Sequence, residues 1–272
     1  MSRDMMPTTE KVGAPSHTNQ SSTKLLHLIE VLSRQPEPCR LQDIARESGM
    51  NPSTALRFLS ALQSMHYVAQ DIDSGRYYLT FKLCAIAQNI TSHMSIRSIS
   101  MPFLRNVSHI FSESCNLAVE NDMSVMYVEV ANDPHKTLMS TQRIGNVAPL
   151  HCTGVGKLML SGFTYAELEQ YIAIKGLPRL TPHTITTLDG LEAELAQIRK
   201  LGYAFDNEEC EVGARCIAAP IRDYTGRIIA GISVSGPTVR MSDAHIFTHL
   251  PYLIETAAQL SIRLGWIPQS VI

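Results

Sequence analysis

Hydrophobic residues recur at intervals of three and four in two short runs within residues 41–67, which predicts two helices joined by a tight turn. Gly49 follows the first run, where the end of a helix accepts a residue in the left-handed conformation. Asn51 then supplies a capping side chain, and Pro52 occupies the first helical position, where a missing N–H has no cost. The pattern therefore predicts a helix-turn-helix.

The second of these helices has one apolar and one polar face. At about 100° per residue, Ser53 and Arg57 fall opposite the apolar residues, with Thr54 on the flank. Hydroxyls bind phosphate, and arginine binds guanine O6 and N7, so this face suits a DNA major groove. The alternative is an ordinary helical hairpin whose polar face only meets water.

A β-hairpin is predicted directly after this helix. Residues 67–72 and 76–80 are rich in aromatic and β-branched side chains, and Asp73, Ser74 and Gly75 lie between them as a turn. A hairpin in this position is a wing. Arg76 at its tip would reach a phosphate or the minor groove, and a solvated arginine is the alternative.

The flanking segments set the limits of this DNA-binding domain, which we place at residues 22–80. Residues 1–21 are rich in Ser, Thr, Pro and Gly and predict a flexible leader. Residues 81–100 have apolar side chains at helical spacing and no breaker before Pro102, which predicts one long linker helix. Its apolar residues require a partner, either in the same chain or in a second subunit across a two-fold axis.

Helices and strands alternate over residues 101–267, ahead of a short tail at 268–272. The pattern indicates an α+β domain in which helices flank an antiparallel sheet. Strands are predicted at NLAVEN, SVMYVEVAN, CIAAPI and RIIAGISVSG, with TLMSTQRIG following the second of them. Helices are predicted at TYAELEQYIAIKG, LDGLEAELAQIRKLGY and residues 243–264.

Two places in this domain suggest more than scaffold. Residues 150–160 pass from strand to helix through Gly154 and Gly156, so a helix end with free N–H groups would favour a small anion. Glycines used only for tight packing are an equal alternative, and no phosphate-loop motif is present. In the second place, Ser233 and Ser235 share one face of a strand.

Two further side chains are expected near these serines. Cys216 opens the neighbouring strand, and Asp206 lies in a predicted loop just upstream. Hydroxyls on one strand face can hydrogen-bond a ligand, and a carboxyl group beside them can orient it. A surface carboxylate without a role is the alternative for Asp206.

Composition narrows the class of protein. The chain has 272 residues, 44% of them hydrophobic and 18% charged, which favours two soluble domains. It contains no long apolar run and no signal peptide at its start, so we expect a cytoplasmic protein without a membrane segment. Residues 1–100 carry ten basic and eight acidic residues, a mild excess that favours dimerisation to gain enough phosphate contacts.

The six cysteines include no C-x-x-C pair, which favours reduced thiols over a disulfide framework. His151, Cys152, Cys210 and Cys216 do not have the spacing of a recognised metal site, so we expect no metal and no cofactor. An enzyme that uses Cys152 or Cys216 as nucleophile and His151 as base is an alternative, although no third orienting group is apparent.

The chain from about Lys24 to Trp266 resembles the IclR family, the isocitrate lyase regulator type of bacterial transcription factor. The motifs that carry the resemblance are GMNPSTALRFLSALQSMHYV, GRYYLT, PLHCTGVGKLML, GYAFDNEECEVGARCIAAPI and GISVSGPTVRM. The resemblance implies a winged helix-turn-helix, a linker helix and a GAF-like effector-binding domain. It also implies a homodimer or a dimer of dimers on a palindromic operator.

The resemblance also implies site residues. The positions that line a small-carboxylate pocket in the family correspond to Gly154, Val155, Asp206, Cys216, Ser233 and Ser235. The expected DNA contacts are Asn51, Ser53, Thr54, Arg57 and Arg76. The chain departs from the family pattern once in each site. In the DNA-binding site, a phosphate-binding lysine that is common in the family is absent near Asn51. In the effector site, Val155 stands where alanine is frequent.

These observations favour a ligand-responsive DNA-binding regulator, a repressor of a catabolic operon that is controlled by a small organic acid or related metabolite. Activators share the architecture, so the direction of control stays open. Besides the cysteine-dependent enzyme, a GAF-like sensor that acts through a protein partner without DNA is an alternative.

Overall fold

The computed structural model describes residues 19–93, 95–132 and 142–268. These residues form two compact units, one within residues 1–93 and the other within residues 94–272. The first unit has one cluster of buried hydrophobic side chains and the second has two. Within the described residues, no helix is both long enough and apolar enough to cross a membrane.

The first unit is a helix-turn-helix followed by a two-stranded wing, as predicted. The apolar residues of the second helix of the motif form its buried face. The elements are α1 (Gln20–Ser33), α2 (Leu41–Glu47), α3 (Pro52–Ser64), β1 (Val68–Gln70), β2 (Tyr77–Leu79) and α4 (Lys82–His93). The core of this unit consists of Leu28, Leu32, Ile44, Ala45, Ala55, Phe58, Leu59, Leu62, Val68 and Tyr77.

Local hydrogen bonds fix both turns of this unit. The Asn51 side chain accepts from the backbone N–H of Thr54 at 2.8 Å, which confirms it as the N-cap of α3. Gly49 has φ +65°, in the left-handed region predicted for it. In the wing, the backbone N–H and hydroxyl of Ser74 donate to the Asp71 carboxylate. The start of α3 and the tip of the hairpin therefore have defined positions.

Two predicted boundaries differ from the structure. Helix α1 begins at Gln20 because Asn19 caps it, so residues 19–21 do not belong to a leader, and residues 1–18 lie outside the described residues. The single helix predicted over 81–100 is wrong: α4 ends at His93 and α5 (Ile96–Phe111) begins after Ser95. Ser95 and Ser98 form a reciprocal capping box there, which fixes a new helix start.

The second unit is built on a six-stranded antiparallel sheet with strand order β5-β4-β3-β8-β7-β6. This confirms the α+β class and the antiparallel sheet. The strands are β3 (Ser114–Asn121), β4 (Ser124–Ala131), β5 (Val147–Pro149), β6 (Ala204–Asn207), β7 (Ala214–Arg222) and β8 (Ile228–Pro237). Of the predicted segment TLMSTQRIG, residues 137–141 lie outside the described residues, and the rest leads into β5.

Helices cover both faces of this sheet. The remaining helices are α6 (Gly154–Leu160), α7 (Tyr165–Lys175), α8 (Leu188–Leu201) and α9 (Asp243–Arg263). Helices α5 and α9 share one buried cluster with the sheet. Helices α6, α7 and α8 form the other cluster with it. Because strand side chains alternate between faces, β3, β4, β6, β7 and β8 contribute to both clusters.

The prediction that Asp206 lies in a loop is wrong. Asp206 belongs to β6, a four-residue edge strand that pairs antiparallel with β7, opposite Cys216. A strand this short, with a glycine and acidic residues around it, has too few alternating positions to be recognised from the sequence. Its place in the sheet brings the Asp206 side chain into line with Cys216.

Candidate functional site

The polar face of α3 is open to solvent. Ser53 and Arg57 are exposed, and Thr54 is half-buried. The Ser53 hydroxyl donates to the Asn51 side chain at 2.9 Å, and the Arg57 guanidinium lies 5.4 Å from the centre of the Phe58 ring. Four of the predicted DNA contacts thus lie in the first two turns of α3 and its cap, while the Asn51 oxygen is already occupied by capping.

Arg76 has different surroundings from those predicted. Residues 72–75 form the tip of the wing, and the backbone N–H of Asp71 donates to the Arg76 carbonyl at 2.8 Å to close the turn. Arg76 borders a surface cavity that is also lined by Asp43 and Glu47. Two carboxylates and Arg76 thus border the same cavity, and a DNA contact by Arg76 stays a prediction.

A cavity of about 320 Å³ opens in the second unit between the sheet and the start of α6. All six residues that the sequence proposed for an effector site line it, namely Gly154, Val155, Asp206, Cys216, Ser233 and Ser235. The sequence reasoning did not single out several further lining residues, among them Tyr127, Gln142, Thr153, Glu211 and Arg215, and it considered Cys210 only for a metal site. Tyr127 and Gln142 come from the β4–β5 region, which carried no motif.

Strand register explains why distant residues meet here. Asp206 pairs with Cys216, and Cys216 pairs with Ser235, so the three lie in one row across β6, β7 and β8. Ser233 lies two residues before Ser235 on β8 and pairs with Asn116 of β3. The fully buried Asn116 amide donates to the Ser235 hydroxyl at 3.2 Å. Antiparallel pairing thus turns residues far apart in sequence into one polar wall.

The two glycines at the start of α6 have different roles. Gly154 lines the cavity, and its N–H and that of Val155 belong to the first helical turn, where the helix supplies no acceptor. A Cβ added at Gly156 would lie 2.5 Å from Thr153 Oγ1 and even closer to the Leu150 carbonyl. Gly156 therefore fits the tight-packing alternative, while an anion at the Gly154 helix end stays a prediction.

The branched side chain of Val155 fits against the sheet because the strand that it packs on carries a glycine. A Cβ at Gly231 of β8 would lie 2.8 Å from Val155 Cγ1, so the valine methyl groups pack where other strands carry a side chain. The departure from alanine at this position is accommodated by packing against β8.

Charge in the cavity is unevenly distributed. The Arg215 guanidinium donates to the Met241 carbonyl at 2.8 Å and to Asp243 at 2.7 Å. Asp206 also lines the cavity, and its Oδ1 accepts from the backbone N–H groups of Glu209 at 2.8 Å and Cys210 at 3.3 Å. Burial nevertheless raises the pKa of Asp206 to about 7. Asp206 is therefore partly protonated at neutral pH.

The raised pKa makes stability depend on pH. The folded state holds a proton on Asp206 between about pH 4 and pH 7 that the unfolded state has released, so stability falls as the pH rises through this range. Asp206→Asn keeps the oxygen acceptor but does not titrate. We therefore expect the unfolding free energy of the variant, measured relative to wild type, to become more favourable by about 2 kcal/mol when the pH is raised from 5 to 7.5. Urea unfolding of both proteins at the two pH values measures this difference. Parallel pH dependences would contradict it.

A buried ion cluster lies behind the cavity. Lys157 of α6 is fully buried, and its ammonium group donates to Glu194 Oε1 at 2.9 Å and to Glu209. The Thr184 hydroxyl donates to the Glu209 carbonyl at 2.7 Å. The cluster ties the segment after β6, which carries Cys210, to the helix that begins at the cavity. No sequence signal pointed to these pairings.

The geometry does not favour nucleophilic catalysis. His151 is fully buried, its Nε2 lies 3.1 Å from the Pro178 carbonyl, and burial lowers its pKa. Burial raises the pKa of Cys216 to about 12, so this thiol stays protonated at neutral pH. Among the described residues, no group of three or more His, Cys, Asp or Glu side chains is arranged to hold a metal ion.

Comparisons with known proteins give a match for the helix-turn-helix of the first unit and a match for the second unit. The family model described as "Bacterial transcriptional regulator IclR C-terminal" matches residues 88–262, and "IclR helix-turn-helix domain" matches residues 21–71. The DNA-binding transcriptional repressor YiaJ of Escherichia coli is 34% identical over 254 residues, covering 91% of this chain and 89% of the repressor.

Two solved structures extend the comparison. The crystal structure of Thermotoga maritima IclR superposes with a TM-score of 0.60 at 28% identity, covering 91% of this chain and 99% of that one. The PobR inducer-binding domain from Acinetobacter, a double mutant in complex with 3-hydroxybenzoic acid, has a TM-score of 0.58 at 27% identity. That match covers 62% of this chain and 98% of the domain.

Proposed function

Because the chain belongs to the IclR family of bacterial transcriptional regulators, we propose that it is a repressor whose affinity for its operator is controlled by a small carboxylate. The chain is thus a ligand-responsive DNA-binding regulator. The carboxylate, the operator contacts and the oligomeric state are the parts that we propose. The observation that carries the proposal is that all six residues expected to line a small-carboxylate pocket border one cavity.

The polar face of α3 supports major-groove recognition. Ser53 and Thr54 lie at the N-terminus of the helix, where hydroxyl and backbone N–H groups suit phosphate oxygens. Arg57 is one turn further along on the exposed side, with its guanidinium available for a base edge. The opposite face is fully committed to the core of the first unit, so only this face is free to enter a groove.

An Arg57→Ala variant should lose specific affinity by about 1 to 3 kcal/mol, because a bidentate contact to a base is lost. Affinity for an unrelated duplex should fall much less. Fluorescence anisotropy with both duplexes at one salt concentration measures the two changes. Arg105→Ala removes the same charge from an exposed position on α5 and should leave both affinities unchanged. Unaltered operator binding by Arg57→Ala would favour a sensor that acts without DNA.

Several features of the cavity favour an anionic ligand. The first-turn N–H groups of α6 and the guanidinium of Arg215 provide positive charge, and the hydroxyls of Ser233 and Ser235 provide hydrogen bonds. Asp206 in its protonated form donates to a carboxylate instead of repelling it. The volume of about 320 Å³ is at the lower end for ligand sites, which favours a small metabolite. PobR, whose domain resembles this one, is described with a hydroxybenzoic acid.

Helix α4 supports the proposal of a homodimer or a dimer of dimers. Ile86 is 38% exposed and Ile90 is 54% exposed, and residues 82–90 contribute no side chain to the core of the first unit. A second subunit pairing along this helix would cover these residues and place two recognition helices on one DNA face. Such a dimer also doubles the phosphate contacts of a unit with little excess positive charge.

The whole proposal is tested by mapping protected DNA with the purified full-length protein, in the presence and absence of a panel of small organic acids. We expect protection of a palindromic site near the regulated genes, and release of that site by at least one acid at micromolar to millimolar concentration. Protection that no acid alters would contradict the effector part. Absence of protection on all DNA from its own gene neighbourhood would contradict the regulator as a whole.

A further inference from the structure

A second cavity lies in the second unit, at the opposite end of the β7–β8 hairpin from the effector cavity. Its volume is about 410 Å³, and it is lined by Pro220 and Arg222 of β7, by Ile228 of β8 and by residues at the end of α6. The effector cavity instead borders the start of β7, the end of β8 and the start of α6. No described residue lines both cavities, so the second cavity is a separate place in the fold.

Three arginines line this second cavity. Arg199 comes from α8, Arg222 is the last residue of β7, and Arg227 directly precedes β8. None of the described lining residues is an aspartate or a glutamate, and the remaining wall is largely apolar, with Met159 and Phe163 among its members. Folding therefore brings three positive charges from separate elements to one cavity.

Within the described residues, only one of these arginines has an acidic partner. The Arg199 guanidinium forms an ion pair with Glu192. The Arg222 guanidinium donates to the Gly226 carbonyl at 2.9 Å but forms no ion pair with a carboxylate in the described part of the chain. The Arg227 guanidinium makes neither a hydrogen bond nor an ion pair with these residues. Two of the three positive charges at the cavity are thus without a direct counter-charge.

A purely structural role explains Arg199, whose guanidinium donates at 3.3 Å to a carbonyl just beyond the end of α6. It does not explain the other two arginines. Arg222 is half-buried, and burial lowers its pKa because water solvates the guanidinium incompletely. Arg227 is exposed, and Glu167 and Asp223 interact with its charge, but neither carboxylate lines the cavity. An anion inside the cavity would compensate both guanidinium groups.

We propose that this second cavity binds the phosphate group of a small phosphorylated metabolite. At neutral pH a phosphate monoester has a charge of about −1.5 to −2, which matches the two guanidinium groups of Arg222 and Arg227. Its oxygens also suit the planar fork of a guanidinium, which donates two parallel hydrogen bonds. A carboxylate has a single charge and two oxygens, so it would satisfy only one of the two arginines. The apolar lining, including Met159 and Phe163, would contact the organic part of the ligand.

The test is isothermal titration calorimetry of the full-length protein with inorganic phosphate and with phenyl phosphate, in the absence of DNA and at constant ionic strength. We expect both anions to bind, and phenyl phosphate to bind more tightly because its ring contacts the apolar lining. Arg227→Gln should weaken both affinities about ten-fold or more, because hydrogen bonds between charged groups are lost. Arg105→Gln removes the same charge from an exposed position on α5 and should leave both affinities unchanged.

Three results would overturn the inference: no binding of either anion at millimolar concentration, affinities that Arg227→Gln leaves unchanged, or equal weakening by Arg105→Gln. The Arg227 side chain is exposed, so its replacement should not disturb folding, and this variant carries the test. Arg222→Gln should weaken binding as well, but it also removes the bond to the Gly226 carbonyl and is a supporting variant only. Neither DNA nor an organic acid enters this titration, so its failure leaves the proposed operator binding and effector response untouched.

Discussion

Lys157→Met should destabilise the protein by about 3 to 5 kcal/mol, because it leaves the buried carboxyl group of Glu209 without its cation. Lys157 is completely buried, and two glutamate side chains bind its ammonium group. Glu209 is itself buried, and one of its oxygens has no hydrogen-bond partner among the described residues. Methionine fills the same space with a similar length of chain but neutralises no charge.

The midpoint of urea unfolding measures this effect, and the pH at which it is measured matters. Burial already raises the pKa of Glu209. Without the lysine, protonation is the remaining way to neutralise Glu209, so the loss should be larger at pH 8 than at pH 5.

Two comparison variants make the cause of the loss identifiable. Adding Glu209→Gln to Lys157→Met should recover much of the stability, since no unpaired charge then remains at that position. Lys175→Met breaks a pair with the exposed Asp122 at 3.4 Å and should cost about 0.5 kcal/mol or less. Equal losses from Lys157→Met and Lys175→Met would show that the buried cluster does not have the arrangement described.

Gly156→Ala should cost about 3 kcal/mol or prevent folding of the second unit, because the added methyl group has no room. Its Cβ would lie 2.5 Å from Thr153 Oγ1 and closer still to backbone atoms of Leu150. Those neighbours are main chain and a capping hydroxyl, so neither can turn aside as a long side chain would. The helix start that borders the cavity would have to move away from β5.

Gly162→Ala is the matched control for this substitution. A Cβ there would meet only the Met159 carbonyl at 3.4 Å, which is an ordinary contact, so we expect a change within about 0.5 kcal/mol. Thermal unfolding of the two variants side by side measures the contrast. Similar melting temperatures for both would mean that Gly156 is replaceable and that its contact with Leu150 is not close.

Local signals predicted the first unit well. Asn51 and Pro52 act within one helical turn, and the hairpin turn is formed by residues that are neighbours in the sequence. Such short-range hydrogen bonds can therefore be predicted from the sequence. The boundary between α4 and α5 was missed although its signal is also local. Ser95 caps α5 through a reciprocal pair with Ser98, and a search for S-x-x-E patterns overlooks a pair of serines.

The candidate site was only partly predictable, because its long-range pairings leave no local pattern. Ser233 and Ser235 were recognisable as one strand face from their alternation. Asp206 was noticed but assigned to a loop, since β6 is too short to show a period. The partners of Lys157 depend on how distant segments pack, which only the folded chain determines.

The hydrogen bond from Asn116 to Ser235 restricts what the cavity can hold. An amide N–H donates into the Ser235 oxygen at 3.2 Å, and this fixes the direction of the hydroxyl, whose own hydrogen must point to another atom. If that atom belongs to a ligand, it has to be an acceptor such as a carboxylate, ketone or ether oxygen, while the second lone pair of the Ser235 oxygen stays available to a donor. An amide outside the cavity lining thus orients a hydroxyl of the cavity wall, so that the hydroxyl hydrogen is offered to an acceptor on the ligand.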